Sequence, residues 1–217
     1  MKSTMLKVLV AAPTHDLTTL ENVYEELGIT DDTHDNRMAR WISATSAAIE
    51  KWCNRVFALE QVVETWRATD GWTVHDTYYP DALHLARRPI VQIDSVVEDL
   101  SEPLTTDDYE FDAENGQLWR LSGGIRRDWC LSRVTVTYSG GYDVPEHTPF
   151  DLEQACLMLL KIRNDGITRD RSLRALTIPG VLEEQFQTPT GTGGGMSGGL
   201  APEVCTILDA WRDYNPP

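Results

Sequence analysis

Four cysteines, five histidines and 34 carboxylates are the groups in this 217-residue chain with the chemistry to hold a metal or to catalyse a reaction. Their spacing argues against both. Cys53, Cys130, Cys156 and Cys205 are far apart and form no CxxC pair, so they supply neither a zinc ribbon nor a redox dithiol. Cys53 and Cys156 stand in apolar helical patterns, where a free thiol behaves as a small hydrophobe. All four are expected to be reduced, in a cytoplasmic setting. His15, His34, His75, His84 and His147 are scattered and form no HExxH. The acidic stretch Asp107 to Gly116 invites a calcium loop, but with Gly116 as the loop glycine an Asp or Asn is needed where Ala113 stands. Gly193, Gly194 and Gly195 lack the Lys-Ser/Thr of a phosphate loop. No GxSxG nucleophile elbow occurs. Carboxylate pairs are everywhere in so acidic a chain and identify nothing. No catalytic residue, cofactor or metal is therefore expected.

The charge balance carries more information. Lys and Arg number 19 against 34 acids, a formal net charge of -15. Wrapping DNA needs Lys and Arg to displace condensed counterions, so this chain is not expected to wrap nucleic acid, and its acidity can simply keep it soluble. It can stand beside a duplex and repel it. The apolar run from Met5 to Ala12 is too short to span a bilayer, and Lys2 and Lys7 make it a poor signal peptide. It is expected to be an extended N-terminal arm, and no membrane partner is expected.

The elements follow from periodicity. Leu20, Val23, Tyr24 and Leu27 predict a first helix over Thr19 to Leu27, with Thr18 and Glu21 as a capping box and Gly28 as its stop. Met38, Trp41, Ile42, Thr45, Ile49, Trp52 and Val56 recur at steps of three and four, predicting a helix over His34 to Cys53 with one buried face. Alternation then predicts short strands over Val62 to Trp66, Leu83 to Leu85, Val91 to Val97, Tyr109 to Phe111, Gln117 to Leu121 and Val134 to Tyr138. Asn115-Gly116 is the strongest hairpin signal, and the short spacing makes the sheets antiparallel. Helix returns at Thr148, and Leu152 to Ile162 is apolar nearly all round, the pattern of a helix central to its core or set between subunits.

A basic group follows, Arg163, Arg169, Arg171 and Arg174. Gly191 to Gly199 then places six glycines in nine residues, a tether of about 15–18 Å reach. Pro202 opens a last helix of about thirteen residues, with Val204, Ile207, Leu208 and Trp211 on one face. A helix of that length is marginal alone and needs a groove. The helix could fold back on its own domain, but the tether favours a groove on another chain.

The expected architecture is α+β: an α-helical bundle of about four helices with an inserted antiparallel β region and a tethered C-terminal helix. Residues 1–58 plus 146–190 would form the helical core, 59–145 the β insertion, 191–200 the glycine-rich linker and 201–217 the partner-docking helix.

Several segments together resemble the head–tail connector (adaptor) proteins of tailed phages. They are Leu6-Lys7-Val8 through Pro13 to Thr19-Leu20-Glu21, then Ala47-Ala48-Ile49-Glu50 with Asn54-Arg55-Val56-Phe57. Leu85 to Val96, including Arg88-Pro89-Ile90-Val91, is similar to that family's strand–Pro–strand segment. Asp108-Tyr109 with Asn115-Gly116-Gln117-Leu118 follows, and Gly140-Gly141-Tyr142 with Val144-Pro145 leads into the helix. The resemblance spans about residues 5 to 165. It implies a structural virion protein, made in the host bacterial cytoplasm and placed at the neck. Copies would form a ring of about twelve below the portal. The ring would prolong the DNA channel and join the capsid to the next neck or tail protein, a stopper or terminator. Double-stranded DNA would pass the lumen without specific binding. In that setting Val204, Ile207, Leu208, Trp211 and Tyr214 are the expected portal-docking residues. Leu157, Leu160, Arg163, Arg169, Arg171 and Arg174 are the expected inter-subunit residues, the arginines pairing with an acidic face of the neighbour.

Two other classes compete. A tail terminator or head-completion stopper is also a virion ring protein, although the helix pair ahead of the β region argues against it. A carbohydrate-binding module would use Trp66, Trp72, Trp119 and Trp129 as a platform, but tryptophan is more often core.

Overall fold

The computed structural model describes residues 5–31, 33–67, 81–99, 101–129, 133–168, 175–178, 182–185 and 200–214. The chain divides into two units. The first, residues 1–15, 55–147 and 214–217, is built from β-strands. The second, residues 16–54 and 148–213, holds the helices.

In the first unit, strands β1 (Met5–Val10), β2 (Glu60–Arg67), β3 (Ala82–His84), β4 (Ile90–Glu98), β5 (Tyr109–Asp112), β6 (Gln117–Ser122), β7 (Ile125–Arg127) and β8 (Arg133–Gly140) form two sheets. One runs β1-β2-β8-β4; the other runs β3-β6-β5, with β7 also on β6. Every ladder is antiparallel. Alternate residues of β8 are buried, the period of a strand with one face in a core. Val62, Trp66, Val134, Val136 and Tyr138 from the first sheet share that core with Leu83 and Leu118 from the second.

Two carboxylates enter this core from β2, because Glu60 and Glu64 alternate with the same face as Val62. A buried charge must be paired or hydrogen-bonded. Glu64 Oε1 accepts from the Tyr138 hydroxyl and, at 2.8 Å, from the Ala86 amide. Glu60 Oε2 accepts from Arg87 Nε at 2.7 Å, and the Arg87 amide donates to the Tyr138 hydroxyl at 2.9 Å. The segment after β3 is thereby held on the sheet, with Arg88-Pro89 as a cis peptide. Burial and the Glu64 carboxylate push the Tyr138 phenol well above its usual range, so it stays a donor. Gly140 and Gly141 let this segment approach. A Cβ on Gly140 would lie 2.5 Å from the Arg87 carbonyl, and one on Gly141 (φ +115) 2.3 Å from the Ala58 carbonyl.

In the second unit, helices α1 (Leu20–Leu27), α2 (Asp35–Cys53), α3 (Phe150–Thr168) and α4 (Pro202–Leu208) are present, with a short hairpin of β9 (Ala175–Ile178) and β10 (Leu182–Gln185). Thr19 rather than Thr18 caps α1, accepting from the Asn22 amide at 3.2 Å, and Gly28 ends it at φ +65. α4 is shorter than expected, seven residues followed by a 3-10 turn over Asp209–Trp211.

The expected helical bundle with a β insertion is corrected here. The fold is β-rich: among the described residues there are two four-stranded antiparallel sheets, against four helices of which α1 and α4 have eight and seven residues. The segment expected to be an N-terminal arm is β1, paired with β2 from Met5↔Thr65 to Val10↔Gln61. Its apolar run hides the alternation that marks a strand. The Asn115-Gly116 turn is also longer than a two-residue hairpin, since Asp112 pairs with Gln117. The Asp112 carboxylate organises it, accepting from the Asn115 side chain and from the Asn115 and Glu114 amides. These bonds hold its pKa below the usual range, those from Asn115 most strongly.

Gly141→Ala should destabilise the protein by more than about 1 kcal/mol, through a backbone clash at positive φ. Gly166, in α3 with open space where a Cβ would stand, should give the opposite result, Gly166→Ala stabilising by about 0.5–1 kcal/mol. Denaturant midpoints of the two variants read both signs.

Candidate assembly surfaces

The helical unit is tied together by a few polar contacts around an apolar centre. Thr18 Oγ1 and Asn22 Nδ2 both donate to Glu153 Oε1, at 2.8 and 2.7 Å, fastening the start of α1 to α3. The Leu17 amide donates to Ser46 Oγ at 3.0 Å. Val23, Met38, Ile42, Ile49, Leu152, Cys156 and Leu160 are buried in this unit. Desolvation pushes the Cys156 thiol up to about 12, so it is a packing group and not a nucleophile.

The C-terminal segment packs within the same unit. Val204 and Leu208 are fully buried, and α4 lies on α2 and α3. The Cys53 thiol contacts the Leu208 carbonyl at 3.9 Å, and the Asp213 amide donates to the Cys53 carbonyl at 2.7 Å. Arg212 stacks on Trp52 at 4.7 Å, and Trp211 Nε1 donates to Asp151 Oδ2 at 3.0 Å. Of the five residues expected to dock on the portal, Val204 and Leu208 thus face their own chain. Ile207 and Trp211 are half-buried and Tyr214 is exposed.

Of the expected inter-subunit residues, Leu160 is buried and Leu157 half-buried. Arg163 is exposed and stacks on Trp41 at 4.7 Å, with Arg37 over the same ring at 5.2 Å. Arg169, Arg171 and Arg174 lie outside the described residues, as do Trp72, Cys130 and the glycine tether. Trp66 and Trp129 are buried, and Trp129 Nε1 donates to the Leu118 carbonyl at 3.1 Å. Trp119 is half-buried under Arg126. These three rings form no open platform.

Two shallow grooves flank α3. One, of about 230 Å³, is lined by Phe150, Gln154, Leu157 and Met158, with Glu26 and Glu153. The other, of about 310 Å³, is lined by Leu159, Ile162 and Arg163 of α3, with Ala44 and Ala48 of α2 and Leu200. Met158 and Ile162 lie in the apolar run Leu152 to Ile162 read from the sequence, whereas Phe150, at 79% exposed, and Glu26 were not legible there. Phe150 follows the helix-favouring Pro149 in the first turn, where an apolar residue carries no sequence mark of exposure. Among the described residues there is no cluster of His, Cys, Asp and Glu suited to a metal, and no helix is long and apolar enough to cross a membrane.

The head completion protein family matches residues 16–165, more than half of the chain. The chain belongs to that family. The resemblance to head–tail connector proteins read from Leu85 to Val96 and from Gly140-Gly141-Tyr142 agrees with it. Solved structures with the same fold include the neck of an empty gene transfer agent particle, computed with C6 symmetry. It has a TM-score of 0.56 at 15% identity, over 98% of this chain and 97% of that one. The neck of a native particle, computed with C12 symmetry, gives 0.55 at 16%, over 98% and 97%. A chain of the native virion gives 0.55 at 16%, over 99% and 100%. Such identities carry the fold alone. No curated protein is similar to the chain in sequence.

Leu208→Ala should cost about 2–5 kcal/mol by chemical denaturation, whereas Glu203→Ala, exposed on the same helix, should stay within about 0.5 kcal/mol. In the folded protein Cys156 should resist iodoacetamide at pH 8 and react once urea unfolds the chain, as peptide mass mapping reads.

Proposed function

We propose that this chain is a structural subunit of the virion neck, forming a closed ring of about twelve copies between the portal and the next neck or tail protein. The observation that carries the proposal is the family match over residues 16–165, joined by a fold shared along 98% of the chain with neck proteins of a gene transfer agent particle. The C12 symmetry of that neck belongs to the gene transfer agent and supports the copy number proposed here.

The physical features suit the role. A net charge of -15 per copy gives a ring whose lumen repels the DNA backbone. At physiological salt that repulsion reaches only about 8 Å, so carboxylates on the wall set it. The duplex then slides without sticking. The portal is the proposed partner on one face and a stopper or terminator on the other. Since Val204 and Leu208 lie in the core of their own unit, contact with the portal falls to side chains that remain outside it.

The test is to add the purified protein to DNA-filled capsids that carry a portal but no neck, and to image them by cryo-electron microscopy. The expected result is a ring of density at the portal vertex, its channel wall richer in carboxylates than in Arg and Lys. Capsids unchanged by the protein would overturn the proposal, and an arginine-rich wall would overturn the account of the lumen.

A further inference from the structure

The two grooves beside α3 differ in charge and lie on opposite sides of the helix. Phe150, Gln154, Leu157 and Lys161 repeat at steps of four, three and four and share one side. Leu159, Ile162 and Arg163 lie on the other. The first side has an apolar floor and an acidic margin of Glu26 and Glu153, with Asp151 and Glu25 exposed on the same two helices. Lys161 faces it too, and is taken up by Glu26 at 2.8 Å. The second has an apolar floor and a basic margin. Among the described residues Arg163 lines it, and no carboxylate does. Along α2, Arg37, Trp41, Ala44 and Ala48 follow at steps of four, three and four, so the Arg37 and Arg163 pair stacked on Trp41 stands at the end of the same groove.

We infer that these are the two halves of one interface: the Phe150–Leu157 face of one copy seats on the Ile162–Arg163 groove of the next, with Glu26 opposite Arg163. This rests on the ring proposed above and names its contact. A second copy is the occupant because the complementary charges are carried by the same chain. Molecules of net charge -15 repel unless a contact brings local opposite charges together, and here an acidic rim meets a basic one. Because the halves lie on opposite sides of one helix, a two-fold pair cannot satisfy both. The contact is head-to-tail, and it repeats until it closes. Exposed Phe150 and Ile162 are then covered, as large apolar side chains that the monomer leaves in water.

The test uses the full-length chain carrying Phe150→Cys and Ile162→Cys together, treated with a short bis-maleimide and run on a denaturing gel beside each single variant. The expected result is a ladder extending beyond the dimer in the double variant alone. Adding Arg163→Glu should reduce the ladder about tenfold, and adding Glu26→Arg with it should restore much of the loss. Circular dichroism checks that each variant is folded. Linked species no larger than a dimer, a dimer from Phe150→Cys alone, or a ladder indifferent to charge reversal would each overturn the inference. If capsids gain a neck ring while the double variant gives no ladder, this interface is wrong and the neck assignment stands. A ladder from a protein that leaves capsids bare sinks the neck assignment and keeps the interface.

Discussion

Helix α3 carries large apolar side chains on every side, and its own chain covers one of them. Leu152, Ala155, Cys156 and Leu160 are buried in the helical unit, while Leu157, Met158 and Leu159 are half-covered, Ile162 is about half open to water and Phe150 stands largely in it. Each large side chain of this kind gains about 1.5–3 kcal/mol on full burial. A helix built this way is stable in the monomer and has more to gain in an assembly. The charges follow the same division, acidic beside Phe150 and basic beside Ile162. Both properties fit the proposed neighbour on each side.

The β unit answers a different demand. In the proposed ring, a subunit must hold its shape while DNA and partners press on it. Here the core is crossed by carboxylates that specify geometry as well as bury area. Glu64 and Glu60 engage the Tyr138 hydroxyl, the Ala86 amide and Arg87, so the segment after β3 has one seat on the sheet. Removing a partner from such a pair leaves a buried charge exposed to no solvent, which is costly. Gly140 and Gly141 complete the arrangement by admitting backbone where a side chain would collide. A motif that looked like a family signature thus has a steric cause.

Much of this was legible in the amino-acid order. Six strands follow the alternation of Val62 to Trp66 and its successors, and α2 follows the stripe from Met38 to Ile49, because burial on one face leaves a periodic trace. Where the trace is missing, the reading failed. Met5 to Val10 is apolar except for Lys7 and lacks alternation, and β7, Ile-Arg-Arg, is exposed throughout. Without those traces the sequence under-reports sheet relative to helix. At the candidate interface Leu157 and Arg163 were legible as apolar and basic residues of one helix. Glu26 and Trp41 were not, since they meet α3 only through the fold, more than a hundred residues away in the chain. The terminal helix illustrates the limit of composition. Its apolar stripe calls for a groove, and only the folded chain shows Val204 and Leu208 in the groove of their own unit.

The central claim is that the uncovered sides of α3 are completed by neighbouring copies. The most direct measurement is a side-chain-resolution reconstruction of the assembled ring, read at α3. The account requires Phe150 of each copy to be enclosed against Ile162 and Ala48 of the next, with the Glu26 and Arg163 side chains within ion-pair distance. A ring in which both grooves open to solvent, and copies touch only through their β units, would contradict it.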